Sequence, residues 1–190
     1  MNLVTRLAST LLVAVTLLAC QDPAKAPAAA ALQAAESSLA AVRGEADRFA
    51  PGQLKGVIAE LDAARAAFAA GKYAEALAAT RPLGDRIAAL GRESSDRKDA
   101  LLVNWSSLSA SVPEALGVVG GLVDALTSMA RPPQGVDPSA LAAARETLAE
   151  ARSAWAAAQA SFRSGSLVEA VQLAQPLPEK IQVAADRLAK

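Results

Sequence analysis

The stretch FAAGKYAEALAATRPLGDRI, residues 68–87, returns later in the chain as FRSGSLVEAVQLAQPLPEKI, residues 162–181. Phe, Gly, Glu, Ala, Pro, Leu and Ile recur in register, 94 positions apart. In each copy a helix ends at a glycine, Gly71 or Gly165, and these two glycines are candidate hinges because glycine readily adopts the left-handed conformation of a helix end. The next helix then meets a proline, which should bend it. The pair of stretches predicts an internal repeat.

Upstream of these stretches the two halves correspond at an offset of 87 residues. On this offset Pro51 matches Pro138, and each suits the first position of a helix. The change from 87 to 94 is seven residues, or two helical turns, which lengthens a helix without moving its apolar stripe to another face. The same offset aligns two apolar stripes in the sequence. The aligned pairs are Leu32 with Val119, Ala35 with Leu122, Leu39 with Leu126, and Val42 with Met129.

The chain as a whole predicts an all-α fold, a helical bundle of two similar three-helix units. Aromatic residues make up only 3% of the sequence, and alanine, the best helix former, supplies much of the apolar content, so the core is thin and its helices approach closely. We expect the first unit at residues 28–90 and the second at residues 111–190. Between them we expect a charged helical connector, residues 91–110, whose polar start either breaks or extends the helix before it; the apolar residues that follow are in phase with that helix and favour one long helix.

Local signals predict where several helices begin. Ser111 and Ser166 each have a glutamate three residues on, which is the pattern of a capping box. Asp137 precedes Pro138 and should cap a helix whose apolar residues form an uninterrupted heptad, typical of a coiled coil. Phe68 and Phe162 each precede a hinge glycine by three residues, so we expect both rings to be buried at equivalent positions.

The first twenty residues have the pattern of a targeting signal. Residues 1–19 carry one positive charge and then an apolar run, which is typical of a cleaved secretory signal peptide. The sequence LLAC ending at Cys20 resembles a lipobox, and by that resemblance Cys20 carries the acyl chains and residues 20–27 form a lipidated tether. Gln21 in the next position favours the periplasmic face of the outer membrane. The alternative is an ordinary signal with an accidental cysteine.

Composition excludes several classes of function. The chain has no histidine and a single cysteine, so it cannot form a Ser-His-Asp triad, a Cys–His pair or a Cys/His zinc site. Lys and Arg balance Asp and Glu at 19 each, which argues against nucleic-acid binding. We therefore expect no enzyme activity, no cofactor and no metal.

Three groups of residues remain candidates for chemistry or contact. Asp85 and Glu179 lie at matching places in the repeat and could act as an acid–base pair, although solvated surface charges are the plainer reading. Residues 91–99, GRESSDRKD, are a solvated face and also the best candidate for a partner contact. Three aromatic residues could line a ligand groove or simply fill the core: Tyr73, Trp105 and Trp155.

Residues 31–83 resemble the alanine-rich bacterial lipoprotein family catalogued as domain of unknown function 4398, and residues 138–177 resemble it more loosely. The shared marks are an aromatic-Ala-Pro turn, an Ala/Leu helix and a Gly-x-Tyr hinge followed by Glu-Ala. The second copy departs from the pattern because Leu167 stands in place of the hinge tyrosine. The resemblance implies an envelope lipoprotein and supplies no catalytic residues.

Together these features predict a non-enzymatic, lipid-anchored helical protein of the periplasm that acts as an interaction scaffold or an envelope spacer. Its partners would be the membrane, through the lipid on Cys20, and an envelope protein. The alternative is a periplasmic carrier that holds a hydrophobic ligand between its helices. A wide pocket would favour the carrier, and a filled helix seam would favour the scaffold.

Overall fold

The computed structural model describes residues 22–129 and 137–188, and within these ranges every regular element is an α-helix. The all-α prediction is confirmed for this part of the chain. The signal segment and Cys20 lie outside the described residues. The helices are α1 (Lys25–Phe49), α2 (Pro51–Ala69), α3 (Tyr73–Thr80), α4 (Leu83–Ser128), α5 (Pro138–Arg163), α6 (Leu167–Ala174) and α7 (Leu177–Leu188).

The chain divides into two compact helical bundles, with the boundary between Ser95 and Asp96. The first unit holds α1, α2, α3 and the start of α4, and the second holds the rest of α4 with α5, α6 and α7. The boundary therefore falls inside a helix. Residues 91–110, the expected connector, lie wholly within α4 and contribute buried side chains to both units, including Ser94 in the first and Trp105 in the second.

The core of the first unit is a cluster of leucine and alanine side chains from α1, α2 and α4. Alanine lets the helices approach closely, and Gly91 of α4 lies so near Val42 of α1 that a Cβ there would stand 3.1 Å from Val42 Cγ1. Leu83 and Ile87, which follow the proline turn, are among the most deeply buried side chains. The cluster comprises Leu32, Ala35, Leu39, Ala46, Ala50, Leu54, Val57, Leu61, Ala64, Leu83, Ile87 and Leu90.

Two helices end in the same way, at Gly71 and at Gly165. Their φ angles are +77° and +85°, so both adopt the left-handed conformation expected of a glycine at a helix end. At the first, Lys72 N donates to the Ala67 carbonyl and Gly71 N donates to the Phe68 carbonyl, both at 3.0 Å. The same pair of bonds is found 94 residues later, from Ser166 N to the Ser161 carbonyl and from Gly165 N to the Phe162 carbonyl. This is the Schellman motif, which satisfies carbonyls that the helix leaves without a partner.

Pro82 and Pro176 each break the helical hydrogen-bond pattern at a two-residue turn, while Arg81 and Gln175 before them keep helical backbone angles, in line with the bend predicted from the sequence. A turn at residues 81–82 separates α3 from α4, and a turn at residues 175–176 separates α6 from α7. Proline has no N–H to donate, and its ring clashes with the carbonyl four residues earlier. In both units the next helix starts at once with a fully buried leucine, Leu83 or Leu177.

Two of the predicted helix starts are wrong in their details. Helix α4 runs through Ser111 without a break and keeps Pro113 in its interior. Its buried stripe continues past this point through Leu108, Val112 and Leu116, so packing outweighs the local capping signal. Ser166 precedes α6 but makes no side-chain capping bond. The cap at Asp137 is confirmed, since its carboxylate accepts the backbone N–H of Ser139.

Three predicted positions differ from the sequence reading. Phe68 is half-buried against the first core, but Phe162 is 38% exposed, so its predicted burial is wrong. Leu122 and Met129 are also exposed, and they do not match the buried Ala35 and the half-buried Val42. The stripe that α4 buries in the second unit has the same four-three spacing in another register: Val112, Leu116, Val119, Val123 and Leu126.

Candidate functional site

A groove opens in the first unit between the beginning of α2 and the beginning of α4. It has a volume of about 360 Å³. Gly52 and Gly56, four residues apart on one face of α2, leave it open because they have no side chains, and a Cβ at either position would meet nothing within 4 Å. We call it the first groove. Its lining residues are Gly52, Gln53, Gly56, Val57, Arg86, Ala89, Leu90 and Glu93.

The first groove has an apolar floor and a polar rim. Val57 and Leu90 on the floor are each only 3% exposed and belong to the core. On the rim, Gln53 Nε2 donates to Glu93 Oε2 at 2.5 Å, which joins α2 to α4 across the opening. Arg86 forms an ion pair with Glu60. Exposed pairs of this kind contribute little to stability, so these side chains can exchange their partners for those of a bound molecule.

A second groove opens in the second unit between α5 and α7, with a volume of about 430 Å³. Its walls carry charges of both signs, from Glu150 and Glu179 and from Lys180 and Arg187. Val183, which is 42% exposed, supplies an apolar contact. Its lining residues are Thr147, Glu150, Pro176, Glu179, Lys180, Val183 and Arg187.

The two grooves occupy matching places in their units. Five positions that line the first groove line the second one at an offset of 94 residues. The walls differ in charge: Gly56 corresponds to Glu150, and Glu93 corresponds to Arg187. The matched pairs are Gln53 and Thr147, Gly56 and Glu150, Arg86 and Lys180, Ala89 and Val183, and Glu93 and Arg187.

The side chains beneath the grooves match at the same offset. Each of the following pairs is buried in both units. Burial is the same even where the two residue types differ, so the match is in the position within the fold and not only in the amino acid. The pairs are Ala50 and Ala144, Leu54 and Leu148, Val57 and Ala151, Leu61 and Trp155, Ala64 and Ala158, Leu83 and Leu177, and Ile87 and Ile181.

The candidate acid–base pair is divided between the units. Asp85 and Glu179 are both exposed, and Glu179 lines the second groove while Asp85 does not line the first. Over the described ranges, no group of three or more Asp, Glu, Cys or His side chains is placed to hold a metal ion.

The aromatic side chains form two separate clusters. In the first unit, Tyr73 meets Phe68 edge-on with ring centroids 5.0 Å apart. In the second, the Trp105 ring stacks on Trp155 with ring centroids 5.4 Å apart and on Phe162 with ring centroids 4.6 Å apart. Both tryptophans are only 8% exposed, so they are members of the second core and do not line an open groove. Phe162 contacts Trp105 in this way although it is itself 38% exposed.

Residues 91–99 are mostly exposed, as their charge predicts, and one of them, Glu93, lines the first groove. The grooves themselves were not found from the sequence. The available signal was the pair Gly52 and Gly56, which sit one helical turn apart in an otherwise strong helix and cost roughly 1 kcal/mol each against alanine.

Between Tyr73 and Ser128 the chain is long and apolar enough to cross a membrane, by length and composition alone. Core helices of soluble proteins pass the same test, and 33% of the apolar window is buried in the described structure.

Comparisons with protein-family models, with curated proteins and with solved structures find no match for this chain. The resemblance to the alanine-rich lipoprotein family therefore stays a prediction.

Proposed function

We propose that this protein is a non-enzymatic, lipid-anchored helical protein of the bacterial cell envelope that acts as an interaction scaffold or spacer. Acyl chains on Cys20 would hold it at the periplasmic face of the outer membrane. The support is the apolar signal that ends in LLAC and the absence of histidine from the whole sequence. Nothing in the described grooves resembles a nucleophile–base pair.

We further propose that the two units are copies of one three-helix repeat, with each proline-broken pair of helices counted as one. Supporting this, α5 (Pro138–Arg163) has 26 residues and α2 (Pro51–Ala69) has 19, a difference of the seven residues that separate the two offsets. From Ala50 and Ala144 onward the buried positions match at an offset of 94, which pairs Pro51 with Arg145 and not with Pro138, so we place the seven extra residues at the start of α5, residues 138–144.

The observation that carries the scaffold reading is the pair of matched grooves. Each combines apolar contacts with charged side chains at the rim, which is the pattern of a protein–protein interface. Ligand sites in carriers enclose most of their ligand behind apolar walls. Open grooves with charged rims fit a partner's side chains better than a hydrophobic ligand, so we prefer the scaffold to the carrier.

Site-specific photocrosslinking in intact cells tests this function. A photoreactive amino acid replaces Ala89 or Val183, one in each groove, and the exposed Ala66 and Ala156 serve as matched control positions outside the grooves. We expect a discrete crosslinked envelope protein from the groove positions and little from the controls. Equal crosslinking at all four positions, or crosslinks to lipid alone, would contradict the scaffold.

Metabolic labelling with a clickable fatty acid tests the anchor. We expect labelled protein from the wild type and none from Cys20→Ala. Flotation of the labelled protein with outer-membrane fractions would support the location. Equal labelling of both proteins would show that Cys20 is not the acylated residue.

A further inference from the structure

The first described residue of the chain, Asp22, lies close in sequence to the proposed lipid anchor. Asp22 Oδ1 accepts the backbone N–H of Ala24 at 2.8 Å, and the Asp22 carbonyl accepts the N–H of Lys25 at 2.9 Å. Helix α1 begins at Lys25, so the last part of the expected tether, residues 20–27, is helical. A single residue, Gln21, separates Cys20 from Asp22. Two residue steps span at most about 7 Å, which leaves the lipidated residue very close to the folded unit.

The same end of the first unit also holds the glycine turn at residues 70–72. A groove of about 400 Å³ brings Phe68, at the end of α2, beside the first residues of α1. Lys25 Nζ lies 5.7 Å from the centre of the Tyr73 ring, which in turn contacts Phe68. We call this region the N-terminal end of the first unit. It comprises residues 22–29, Phe68, residues 70–73 and Glu75.

The chemistry of this end suits a phospholipid surface. Tyr73 and Phe68 are partly exposed, and tyrosine is enriched where a membrane meets water because its ring is apolar and its hydroxyl is polar. Lys25 and Lys72 are exposed and can reach toward headgroups along their apolar stems. Asp22 and Glu75 balance the two positive charges, and Glu75 pairs with Lys72 at 3.1 Å. The end is thus electrically neutral and gives no preference for anionic lipid.

The side of the first unit where α1 meets α2 carries ion pairs. Arg65 of α2 is held by Glu36 of α1 and by Asp62, each at 2.8 Å, so this side presents ion pairs that are already formed. Helix α1 has 25 residues, and at 1.5 Å per residue it is about 37 Å long. The start of α2, which contributes Gly52 to the first groove, lies at the opposite end of α1 from Lys25.

We propose that the N-terminal end of the first unit rests on the headgroups of the phospholipid leaflet that holds the acyl chains, with the first groove facing away from the membrane. The inference rests on the proposed lipidation of Cys20. The short link to Asp22 holds this end at the surface, and the exposed aromatic and lysine side chains contact it. The orientation would present the first groove to a partner in the periplasm.

Depth-dependent fluorescence quenching tests the orientation. Lipidation consumes the Cys20 thiol, so a new cysteine can be labelled selectively in the mature protein. Ala70→Cys reports on the N-terminal end, and Asp47→Cys is the matched control near the far end of α1, since both residues are exposed. The labelled, lipidated proteins are placed in phosphatidylcholine vesicles that contain a lipid with a spin-labelled headgroup. We expect quenching at residue 70 to be several-fold stronger than at residue 47.

A longer tether separates the contribution of the short link. Ten glycine and serine residues inserted between Gln21 and Asp22 add a flexible spacer with a mean reach of about 17 Å. We expect quenching at residue 70 to fall toward the level at residue 47. Equal quenching at both sites with the native tether would overturn the orientation, and unchanged quenching at residue 70 in the insertion variant would overturn the role of the link. Mass spectrometry that finds no lipid on Cys20 would instead overturn the proposed anchor.

Discussion

Gly71 and Gly165 have the backbone conformation that most restricts which residue can stand at a position. Among the described residues, positive φ angles occur at these two glycines and at no other residue type. A Cβ at either position would meet no atom within 4 Å, so a substitution there acts through backbone conformation and not through a clash.

We predict that Gly71→Ala and Gly165→Ala each destabilise the soluble, signal-free protein by roughly 1–2 kcal/mol, because alanine disfavours the left-handed conformation. Urea denaturation followed by circular dichroism measures the change. Gly44→Ala is the matched control: Gly44 lies inside α1 with open space around its Cβ position, so alanine there should stabilise by about 0.5–1 kcal/mol. Stabilisation by all three substitutions would mean that the helices run through the glycine turns in solution.

Asp137 gives a second prediction at the residue scale. Hydrogen bonds from the Ser139 hydroxyl, and then from its backbone N–H, hold the pKa of the Asp137 carboxyl below its ordinary value. A lowered folded-state pKa means that the bonds stabilise the fold above the ordinary pKa of aspartate, about 3.9, and that this contribution is lost as the pH falls through the folded-state value. The stability advantage of wild type over Asp137→Asn should therefore shrink below about pH 4.

Urea midpoints of the two proteins between about pH 6 and pH 2.5 measure that advantage. Ser166→Ala is the control, since Ser166 makes no side-chain capping bond and its loss should have little effect at any pH. A difference between wild type and Asp137→Asn that does not change with pH would contradict the assigned cap.

At the scale of elements, α4 departs most from what its sequence suggests. It keeps Pro113 in its interior, although proline removes a helical hydrogen bond and crowds the carbonyl of residue 109. The apolar stripe through Leu108, Val112 and Leu116 continues across the proline, and all three side chains are buried within the second unit. Packing along the stripe compensates for the local cost of proline.

We predict that Pro113→Ala stabilises the protein by up to about 3 kcal/mol, because Pro113 is exposed and alanine restores the missing N–H. The free energy of unfolding in urea measures the gain. Ser111→Ala distinguishes a continuous α4 from a helix that starts at Ser111. In a continuous helix its effect on stability should be close to zero. If Ser111 capped a new helix, its loss should destabilise the protein by about 1 kcal/mol. No gain from Pro113→Ala together with a loss from Ser111→Ala would restore the helix start predicted from the sequence.

The spacing of apolar residues along a helix predicts its buried face but not which residues correspond between the two units. Positions such as Leu54, Leu61 and Ile87 could be assigned to the core because apolar residues at four-three spacing mark one helix face. The intervals alternate between three and four residues, so a match that is right at every seventh residue, Leu32 with Val119 and Leu39 with Leu126, can still be wrong at the position between them. This ambiguity is why Leu122 was matched with buried Ala35 although it is exposed. The grooves depend on side chains from different helices, and the spacing within one helix does not show them.

At the scale of the whole molecule, each unit has its own core. The boundary between Ser95 and Asp96 lies in α4, where no turn or proline marks it, so the sequence could place it only approximately. The all-α class was predictable because alanine content, proline positions and helical periodicity all agree. Whether the two cores unfold together is a property of the molecule that a pair of matched substitutions can test.

We predict that a large-to-small substitution in one core loosens that unit alone. Leu61 and Trp155 hold corresponding positions and are 2% and 8% exposed. Leu61→Ala should cost about 2–5 kcal/mol and Trp155→Ala about 3–5 kcal/mol, because each leaves a cavity that a thin core fills only partly. Hydrogen exchange with mass spectrometry, read separately for peptides of α2 and of α5, should show faster exchange in α2 for the first variant and in α5 for the second. Equal acceleration of both helices in both variants would mean that the two cores unfold as one cooperative unit, and the division at Ser95 would then describe contacts without describing stability.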